Sequence, residues 1–279
     1  HGQRQLTAAG RAAPGSQSCV SGMFVVTGFS RSSSEPDGPH YEPIVGMIKR
    51  TLEISRDPAY LSVKHGQLQL RQGDEVAATF PCEDLGVVVV DQPQTTYSHA
   101  ALTTLLSHDA VVVLCGANHL PCGMLLPVSE NTLVVPRLKA QIGASLPTCK
   151  RLWQQIVRAK ILAQAENLEP DSGVRRKLVH LAAQVRSGDP ENKEAQAARL
   201  YWTAWLLAGP EPAADADFRR DTDAPGINAL LNYGYAVMRA AVARAIVAAG
   251  LHPTIGVHHR HRSNAFCLAD DLMEPLRPI

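Results

Sequence analysis

The sequence predicts an α+β fold, with a small N-terminal β domain followed by an all-α helical C-terminal domain. Two observations support this prediction. From residue 47 to residue 130, short stretches rich in β-branched residues alternate with turn dipeptides. From residue 131 onward, apolar residues recur at helical spacing. The predicted domains are therefore 47–130 and 131–279.

Residues 1–46 differ from both domains. Their segment RSSSEPDGPHYEP is rich in Ser, Pro and Gly and has no periodicity that would build a core. We predict that 1–46 is a disordered leader outside the two domains. It is either sequence upstream of a natural start at Met47 or a short native N-terminal extension.

The N-terminal β domain is predicted from short strand-like segments: RTLEIS, YLSVKHGQLQLRQG, EVAATFP, LGVVVVD and AVVVLCG. The second segment predicts a hairpin about His65-Gly66, because a two-residue turn there joins two alternating stretches. TYSHAALTTLLSHD predicts a helix before the last strand.

The C-terminal domain is predicted from four helical segments. The segment from Leu138 to Leu168 forms one helix, or two helices broken near Pro147. VRRKLVHLAAQVRSG forms the next helix, and DPENKEAQAARLYWTAWLLAG follows it with Asp189 as the predicted N-cap. The alanine-rich segment INALLNYGYAVMRAAVARAIVAAG is the last long helix.

Composition excludes several classes of protein. The chain of 279 residues is 45% hydrophobic and 19% charged, which is typical of a globular protein. Its six cysteines form no CxxC pair, which argues against a zinc ribbon or a disulfide framework and favours reduced thiols in a cytoplasmic protein. No apolar run reaches the roughly 18 residues of a membrane span.

The net charge of +1 conceals a basic block. Residues 131–186 contain 10 Lys/Arg and 3 Asp/Glu, a net charge of +7, whereas 47–130 has 5 against 9, a net charge of −4. A basic block of this kind attracts a polyanion such as DNA. A solvated helix face is the alternative.

One acid falls on the apolar face of its predicted helix. At about 100° per residue, Glu194 shares a face with Ala198, Tyr201 and Trp205. A buried carboxylate without a partner is costly, so it must be protonated, paired or bound to a metal. The pattern leaves three alternatives for Glu194: a structural salt bridge, an exposed edge position, and a ligand or catalytic role.

The C-terminal segment NAFCLADDLMEP also places acids among apolar residues. Asp271 and Glu274 are three residues apart, so they lie on one helix face, and Asp270 is a candidate cap. The preceding stretch GVHHRHR is a predicted loop. It either supplies a histidine ligand or is a solvated basic loop. Carboxylates with one imidazole suit Mg²⁺ or Mn²⁺ better than structural zinc. Together these elements predict a mixed nitrogen and oxygen metal site.

Three motifs carry a resemblance to a known family: GDPENKEAQAARLYW, GINALLNYGYAVMRAAVARAIVAAGLHPTIGVHH and NAFCLADDLMEPLRP. They closely resemble the CRISPR-associated adaptation endonuclease of type II systems, the integrase that inserts new spacers. The resemblance runs from Met47 to the end of the chain, so the leader has no family counterpart. The family continues beyond EPLRP with further helices, so we expect that the C-terminus is truncated.

The resemblance implies a divalent metal, Mg²⁺ or Mn²⁺, held by three catalytic residues: Glu194, His259 and Glu274. It implies that Asp271 is a supporting acid. Asn232 and Tyr235 are candidates to reach the site from behind the ligands, although core packing is an equal alternative for the tyrosine. His258 and His261 are expected to be DNA-facing or structural.

The resemblance also implies an activity and partners. The enzyme would insert short foreign DNA fragments into a CRISPR array through attack of a 3′-hydroxyl on a phosphodiester at the repeat boundary. Its implied partners are double-stranded DNA (spacer precursor and CRISPR repeat), a second copy in a homodimer, and a dimer of the smaller second adaptation protein. The candidate DNA contacts lie in the basic block: Lys150, Arg151, Arg158, Lys160, Arg175, Arg176 and Lys177.

Two rival functions are open to the sequence. The first is a catalytically silent DNA-binding scaffold of the same adaptation complex. The second is a phosphohydrolase for small substrates, which would need a closed pocket and no salt-dependent affinity for DNA. The basic block argues against the second.

Overall fold

The computed structural model describes residues 49–128, 131–207 and 226–278, together with the backbone of two short strands within 18–26. The chain divides into two compact units, 1–119 and 120–279. Strands dominate the described part of the first unit and helices the second, which confirms the predicted α+β class. The predicted domain boundary at 130 lies within the second unit, because strand β10 at Pro121–Leu125 belongs to that unit.

The first unit contains nine strands among its described residues. They are β1 (Ser18–Val20), β2 (Met23–Val26), β3 (Arg50–Ile54), β4 (Tyr60–Lys64), β5 (Gln67–Gln72), β6 (Glu75–Pro81), β7 (Leu85–Val90), β8 (Thr96–Tyr97) and β9 (Val111–Cys115). Within this unit one sheet has the order β1–β2–β3–β7–β9, and the second has the order β6–β5–β4–β8. Helix α1 (His99–Ser107) lies between β8 and β9 in the chain, and Ser98 caps its start.

Strand β7 is the centre of the first sheet. It pairs in parallel with both β3 and β9, and all six of its residues are buried. A strand covered on both faces needs a continuous apolar run rather than an alternating pattern. The sequence LGVVVV supplies that run.

The predicted hairpin is confirmed. Strands β4 and β5 are antiparallel, and Lys64 lies opposite Gln67. His65 and Gly66 form the turn with φ angles of 52° and 73°. Positive φ at both turn positions matches the right-handed twist of the flanking strands.

The predicted disordered leader overlaps the described chain only at β1 and β2. These two strands are antiparallel to each other, and β2 continues the first sheet by pairing with β3. The other residues of 1–46 lie outside the described residues.

The second unit begins with strand β10, which the sequence did not predict because PCGML contains a proline and a glycine and has no clear alternation. Its helices are α2 (Val134–Ile142), α3 (Leu146–Glu166), α4 (Gly173–Gln184), α5 (Lys193–Leu207), α6 (Ile227–Ala248) and α7 (Cys267–Met273). A 3-10 turn at Glu274–Leu276 continues from α7.

The break near Pro147 separates two helices. Ser145 caps α3 by accepting a hydrogen bond from the Thr148 amide. Pro147 lies in the first turn, where the missing backbone N–H of proline costs no helical hydrogen bond. The two-helix alternative is therefore the observed one.

The predicted start of α5 at Asp189 is wrong, since the helix begins at Lys193. Asp189 and Asn192 have φ angles of 46° and 51°, a left-handed conformation that an α-helix does not contain. Asp189 still stabilises the helix start, because its carboxylate accepts hydrogen bonds from the amides of Lys193 (2.9 Å) and Glu194 (3.0 Å).

Two apolar clusters hold the helical unit together. The larger one joins α3, α4 and α5 through buried side chains that include Trp153, Ile161, Leu178 and Tyr201. The smaller one joins α6 to α7 through Ile246 and Leu268, among others. The interfaces place one end of α3, the start of α5 and the end of α7 close together, which positions the site described next.

Two class predictions can be compared with the described residues. The five cysteines whose side chains are described are all free thiols, and Cys82, Cys149 and Cys267 are buried. Within the described ranges, no helix is both long and apolar enough to cross a bilayer.

Candidate functional site

Two of the predicted ligands, Glu194 and Glu274, meet at one lysine. Lys160 Nζ on α3 donates to Glu194 Oε1 at 2.6 Å, and it also donates to Glu274 Oε2. Glu194 lies in the first turn of α5, and Glu274 follows α7. Because both carboxylate oxygens contact a single nitrogen atom, they lie no further apart than about two hydrogen-bond lengths.

The two carboxylates differ in burial. The Glu274 side chain is 6% exposed and has a second cation beside it, since Arg277 Nε lies 3.0 Å from Oε1. The Glu194 side chain is 25% exposed. A buried carboxylate needs such partners, because removal of a charge from water costs several kcal/mol. Of the three alternatives for Glu194, the structure contains the salt bridge, while a ligand role stays a prediction.

His259 is joined to α7 through Asp271. Its Nδ1 lies 2.6 Å from Asp271 Oδ1, and a carboxylate accepts, so Nδ1 is the protonated nitrogen. This bond leaves Nε2 as the nitrogen available to a metal. Metal-binding histidines in proteins are held in this manner, with the other ring nitrogen donating to a carboxylate. The sequence could not identify this partner of His259.

Asp271 also fixes the backbone of the loop at residues 256–264, here called the histidine loop. Its Oδ2 accepts from the amides of Val257 (2.6 Å) and His258 (2.9 Å), and its Oδ1 accepts from the amide of His259 (3.1 Å). The residue is 0% exposed. Three backbone donors converging on one carboxylate stabilise its charge in the absence of water.

Glycine at position 256 allows this close approach. A Cβ atom there would overlap the carbonyl oxygen of His259 and would lie 2.9 Å from both Asp271 Oδ2 and the Cys267 Cβ. Real Cβ atoms do not approach their neighbours so closely, so only glycine fits between the loop and α7 without a shift of the backbone.

The hydrogen bond that His259 donates to Asp271 raises the pKa of His259, and burial of the ring opposes this increase. The negative charges of Asp271, Glu274 and Asp270 also raise the pKa. A metal would reverse the effect, because it binds the neutral imidazole.

His258 has a structural position. Its ring stacks on the indole of Trp153, with centroids 4.0 Å apart and planes 5° from parallel, and the His259 ring meets the same indole edge-on at 5.7 Å. Trp153 is buried in the core of the helical unit. His261, by contrast, is exposed and pairs with Ser263 at 2.8 Å.

Tyr235 lies against Arg277. The Tyr235 hydroxyl donates to the Arg277 carbonyl oxygen at 3.4 Å, and the Arg277 guanidinium lies 4.9 Å from the ring centroid. The tyrosine therefore supports the segment that holds Glu274. Asn232 lies on the same helix, α6, one turn before Tyr235. The direct roles predicted for both residues stay predictions.

Asp270 does not cap α7. It lies inside the helix and is buried, where it accepts from Arg239 Nε (2.7 Å) and Asn264 Nδ2 (2.7 Å). These contacts tie α6 and the histidine loop to α7. Sequence reasoning missed both partners, because they are 31 and 6 residues away along the chain.

Lys160 is placed differently from the sequence-based assignment to DNA. Its side chain is 13% exposed and is bound between two carboxylates. A signal was available, because Lys160 lies on the face of α3 that carries the buried Trp153, Val157 and Gln164. A lysine on that face requires an acidic partner.

The other candidate DNA contacts lie on α3 and α4. Lys150, Arg151, Arg158, Arg176 and Lys177 are exposed. Arg151 and Arg158 are seven residues apart and therefore share one face of α3. Arg175 is partly buried and donates to the Leu168 carbonyl oxygen at 3.2 Å. The exposed members are available to phosphates, and their DNA contacts stay a prediction.

The donor set fits a divalent cation in its chemistry. Two carboxylates and one neutral imidazole are the ligands expected for Mg²⁺ or Mn²⁺, and the ammonium of Lys160 shows that a positive charge is accommodated between Glu194 and Glu274. Within the described part of the chain, no three His, Cys, Asp or Glu residues are close enough to form a ready metal cage. In this structure the ammonium of Lys160 occupies the position between the two acids.

The chain is similar to known proteins over most of its length. The family model for CRISPR associated protein Cas1 matches residues 52–279. The CRISPR-associated endonuclease Cas1 of Neisseria meningitidis serogroup C (strain 8013) is 41% identical over 222 residues, which are 78% of this chain and 69% of that protein.

Two solved structures are similar in fold. A casposase bound to an integration product aligns with a TM-score of 0.64 at 21% identity, covering 82% of this chain and 69% of the casposase chain. A Cas6-RT-Cas1–Cas2 complex aligns with a TM-score of 0.61 at 21% identity, covering 88% of this chain and 28% of that larger chain.

Proposed function

The chain belongs to the Cas1 family, and on that premise we propose that it is a metal-dependent DNA endonuclease and integrase. It inserts short foreign DNA fragments as new spacers into a CRISPR array. The reaction is attack of a 3′-hydroxyl on a phosphodiester at the repeat boundary, and attack by water at the same centre gives endonuclease activity.

One observation carries the proposal. Glu194 and Glu274 come from separate helical segments and converge on a single nitrogen atom, while Asp271 holds His259 through Nδ1 and leaves Nε2 free of that bond. The acids are 80 residues apart along the chain (274 − 194), so their convergence is a property of the fold. Charge repulsion between two such acids favours a bound cation.

We assign Glu194, His259 and Glu274 as the residues that would hold Mg²⁺ or Mn²⁺. A bound divalent ion supplies Lewis acidity and stabilises the charge that develops on phosphate oxygens. Asp271 keeps the proton on Nδ1 of His259, so that Nε2 retains its lone pair. Trp153 restricts the loop by stacking on His258. His259 is therefore a ligand in this proposal and not a general base.

The exposed basic residues of α3 and α4 are the proposed contacts to double-stranded DNA. Phosphate contacts position a duplex and supply most of its sequence-independent affinity. The fold similarity to a casposase solved with an integration product supports this assignment. The basic residues and the two acids lie in the same unit of this chain, residues 120–279.

The proposed partners are a second copy of the chain and a dimer of the smaller second adaptation protein, in the cytoplasm of a prokaryotic cell. The similarity to a chain of the Cas6-RT-Cas1–Cas2 complex supports the second partner.

A catalytically silent DNA-binding scaffold is the alternative function. The observation that favours it is the ammonium of Lys160, which already neutralises part of the charge of the two acids. The two functions differ in one outcome. A scaffold would bind duplex DNA and would not join strands in Mn²⁺.

The experiment is a strand-transfer assay with branched or supercoiled DNA in Mn²⁺. We expect joining by the wild-type chain and none by Glu194→Ala or His259→Ala, with DNA affinity within about tenfold of wild type because phosphate contacts supply most of the binding. His99→Ala is the control, since this exposed histidine lies on α1 in the first unit and should retain joining. Absence of joining by wild type would favour the scaffold, and joining by His259→Ala would refute the assigned ligand set.

A further inference from the structure

Lys160 places a positive charge between two carboxylates that are assigned as metal ligands. The ammonium contacts one oxygen of Glu194 and one oxygen of Glu274, and its side chain is only 13% exposed. The two acids are the ones to which the proposed function assigns the metal. Lysine therefore occupies the space between two assigned ligands.

An ammonium and a divalent ion cannot share this space. Both would lie within a few ångströms of the same two oxygens, where repulsion between a single and a double positive charge is strong. The acids carry two negative charges, which suffice for one divalent ion without the lysine. Metal binding thus requires the ammonium to move, provided that the backbone of α3 stays where the core holds it.

A second position for the ammonium exists one helical turn away. Gln164 lies four residues after Lys160 on α3, so that the two side chains are neighbours on one face. The Oε1 atom of Gln164 is buried and has no hydrogen-bond partner among the described residues, and the residue is 2% exposed. A buried acceptor without a partner is rare in folded proteins and needs an explanation.

The space for this movement is present. Lys160 and Gln164 both line a cavity of about 530 Å³, and two arginines, Arg199 and Arg277, line it as well. None of the described residues that line this cavity is an acid. An ammonium released into it would find a buried acceptor without a partner, the Gln164 oxygen, and would add a third positive charge to a wall that suits a phosphate group.

We propose that Lys160 is an exchangeable internal cation of the metal site. In the metal-free protein it holds Glu194 and Glu274 together, and on binding of a divalent ion its ammonium moves to Gln164 Oε1. The inference rests on the proposed function, because it takes the assignment of the two acids as ligands. Lys160 is in this sense a positioning residue, which acts through the carboxylates.

The first test measures Mn²⁺ binding by the loss of the free-ion EPR signal. We expect Lys160→Met to bind Mn²⁺ at least about tenfold more tightly than wild type, because the ion no longer displaces an ammonium. Lys139→Met, a change of an exposed lysine on α2, is the matched control and should bind like wild type. A purely structural lysine predicts the opposite sign, so equal or weaker binding by folded Lys160→Met overturns the proposal.

The second test uses the wild-type protein and does not depend on a variant that folds. Amine labelling of lysines is followed by mass spectrometry with and without Mg²⁺. We expect Mg²⁺ to increase labelling of Lys160 severalfold relative to Lys139, because the ammonium leaves its two carboxylates. Unchanged or decreased labelling of Lys160 at saturating Mg²⁺ overturns the exchange.

Glu194→Gln separates the failure of this inference from the failure of the proposed function. If wild type binds Mn²⁺ and Glu194→Gln does not, the metal site stands, and the comparison with Lys160→Met decides the exchange alone. If Mn²⁺ binds neither to wild type nor to Lys160→Met, the metal site itself is refuted, and the exchange with it.

Discussion

Asp271→Asn is the sharpest test of how the site is held together. The substitution keeps the shape of the side chain and replaces one carboxylate oxygen with an NH₂ group. Oδ2 accepts from the amides of Val257 and His258, and Oδ1 accepts from the amide and Nδ1 of His259. Whichever oxygen is replaced, two donors then face an NH₂ group that cannot accept.

The cost follows from that count. A buried donor without a partner costs about 1–3 kcal/mol, so two of them cost roughly 2–6 kcal/mol. Total stabilities of domains are about 5–15 kcal/mol. In a unit of 160 residues (279 − 119), each kcal/mol lowers the melting temperature by about 2–4 °C. A central loss of about 4 kcal/mol therefore corresponds to a decrease of roughly 8–16 °C.

The assay is thermal unfolding in EDTA, followed by circular dichroism at 222 nm. Hydrogen exchange of the amides at 257–259 adds a local measurement, because these are the donors that lose their acceptor. Glu191→Gln is the matched control. This exposed acid pairs with Arg186 and Lys193 on the surface, so its loss should leave the melting temperature unchanged. An Asp271→Asn protein that melts with wild type and protects 257–259 equally would refute the reasoning.

Three further changes have expected outcomes. Gly256→Ala should lower the melting temperature and abolish strand transfer, because the added Cβ overlaps the His259 carbonyl oxygen; a variant as stable and active as wild type contradicts this. Trp153→Ala should cost about 3–5 kcal/mol in urea unfolding, since the residue is 3% exposed, and a loss below about 1 kcal/mol would be inconsistent with its packing. The double change Arg151→Ala with Arg158→Ala should weaken duplex binding for every DNA sequence and reduce the slope of log K against log salt by about 2, which a salt titration measures and an unchanged slope would exclude.

The elements that the sequence predicted best depend on local signals. The hairpin turn needs two consecutive residues with positive φ angles, and His65 and Gly66 both adopt them. The break before Pro147 is likewise local, since Ser145 is a good cap and proline fits only the first turn. In contrast, the start of α5 was misplaced at Asp189. The sequence signals a cap there and does not reveal that the chain first makes a left-handed turn.

The site itself was only partly predictable. Residue types and spacing indicated acids on apolar faces, and the resemblance selected Glu194, His259 and Glu274 among them. The partners that give each its environment come from distant positions, such as Lys160, which is 114 residues from Glu274. No pattern within a single sequence pairs residues at such separations. The contact between His259 and Asp271 was closer, at 12 residues, but it depends on a loop conformation that Gly256 makes possible.

The four contacts to the Asp271 carboxylate make the histidine loop and α7 mechanically a single piece. Glu274 follows directly from that helix, so α7 carries both Glu274 and the acid that holds His259. Glu194 belongs to α5, which packs with α3 in the larger apolar cluster. The position of Glu194 therefore depends on the packing of α5, whereas the positions of His259 and Glu274 both depend on α7.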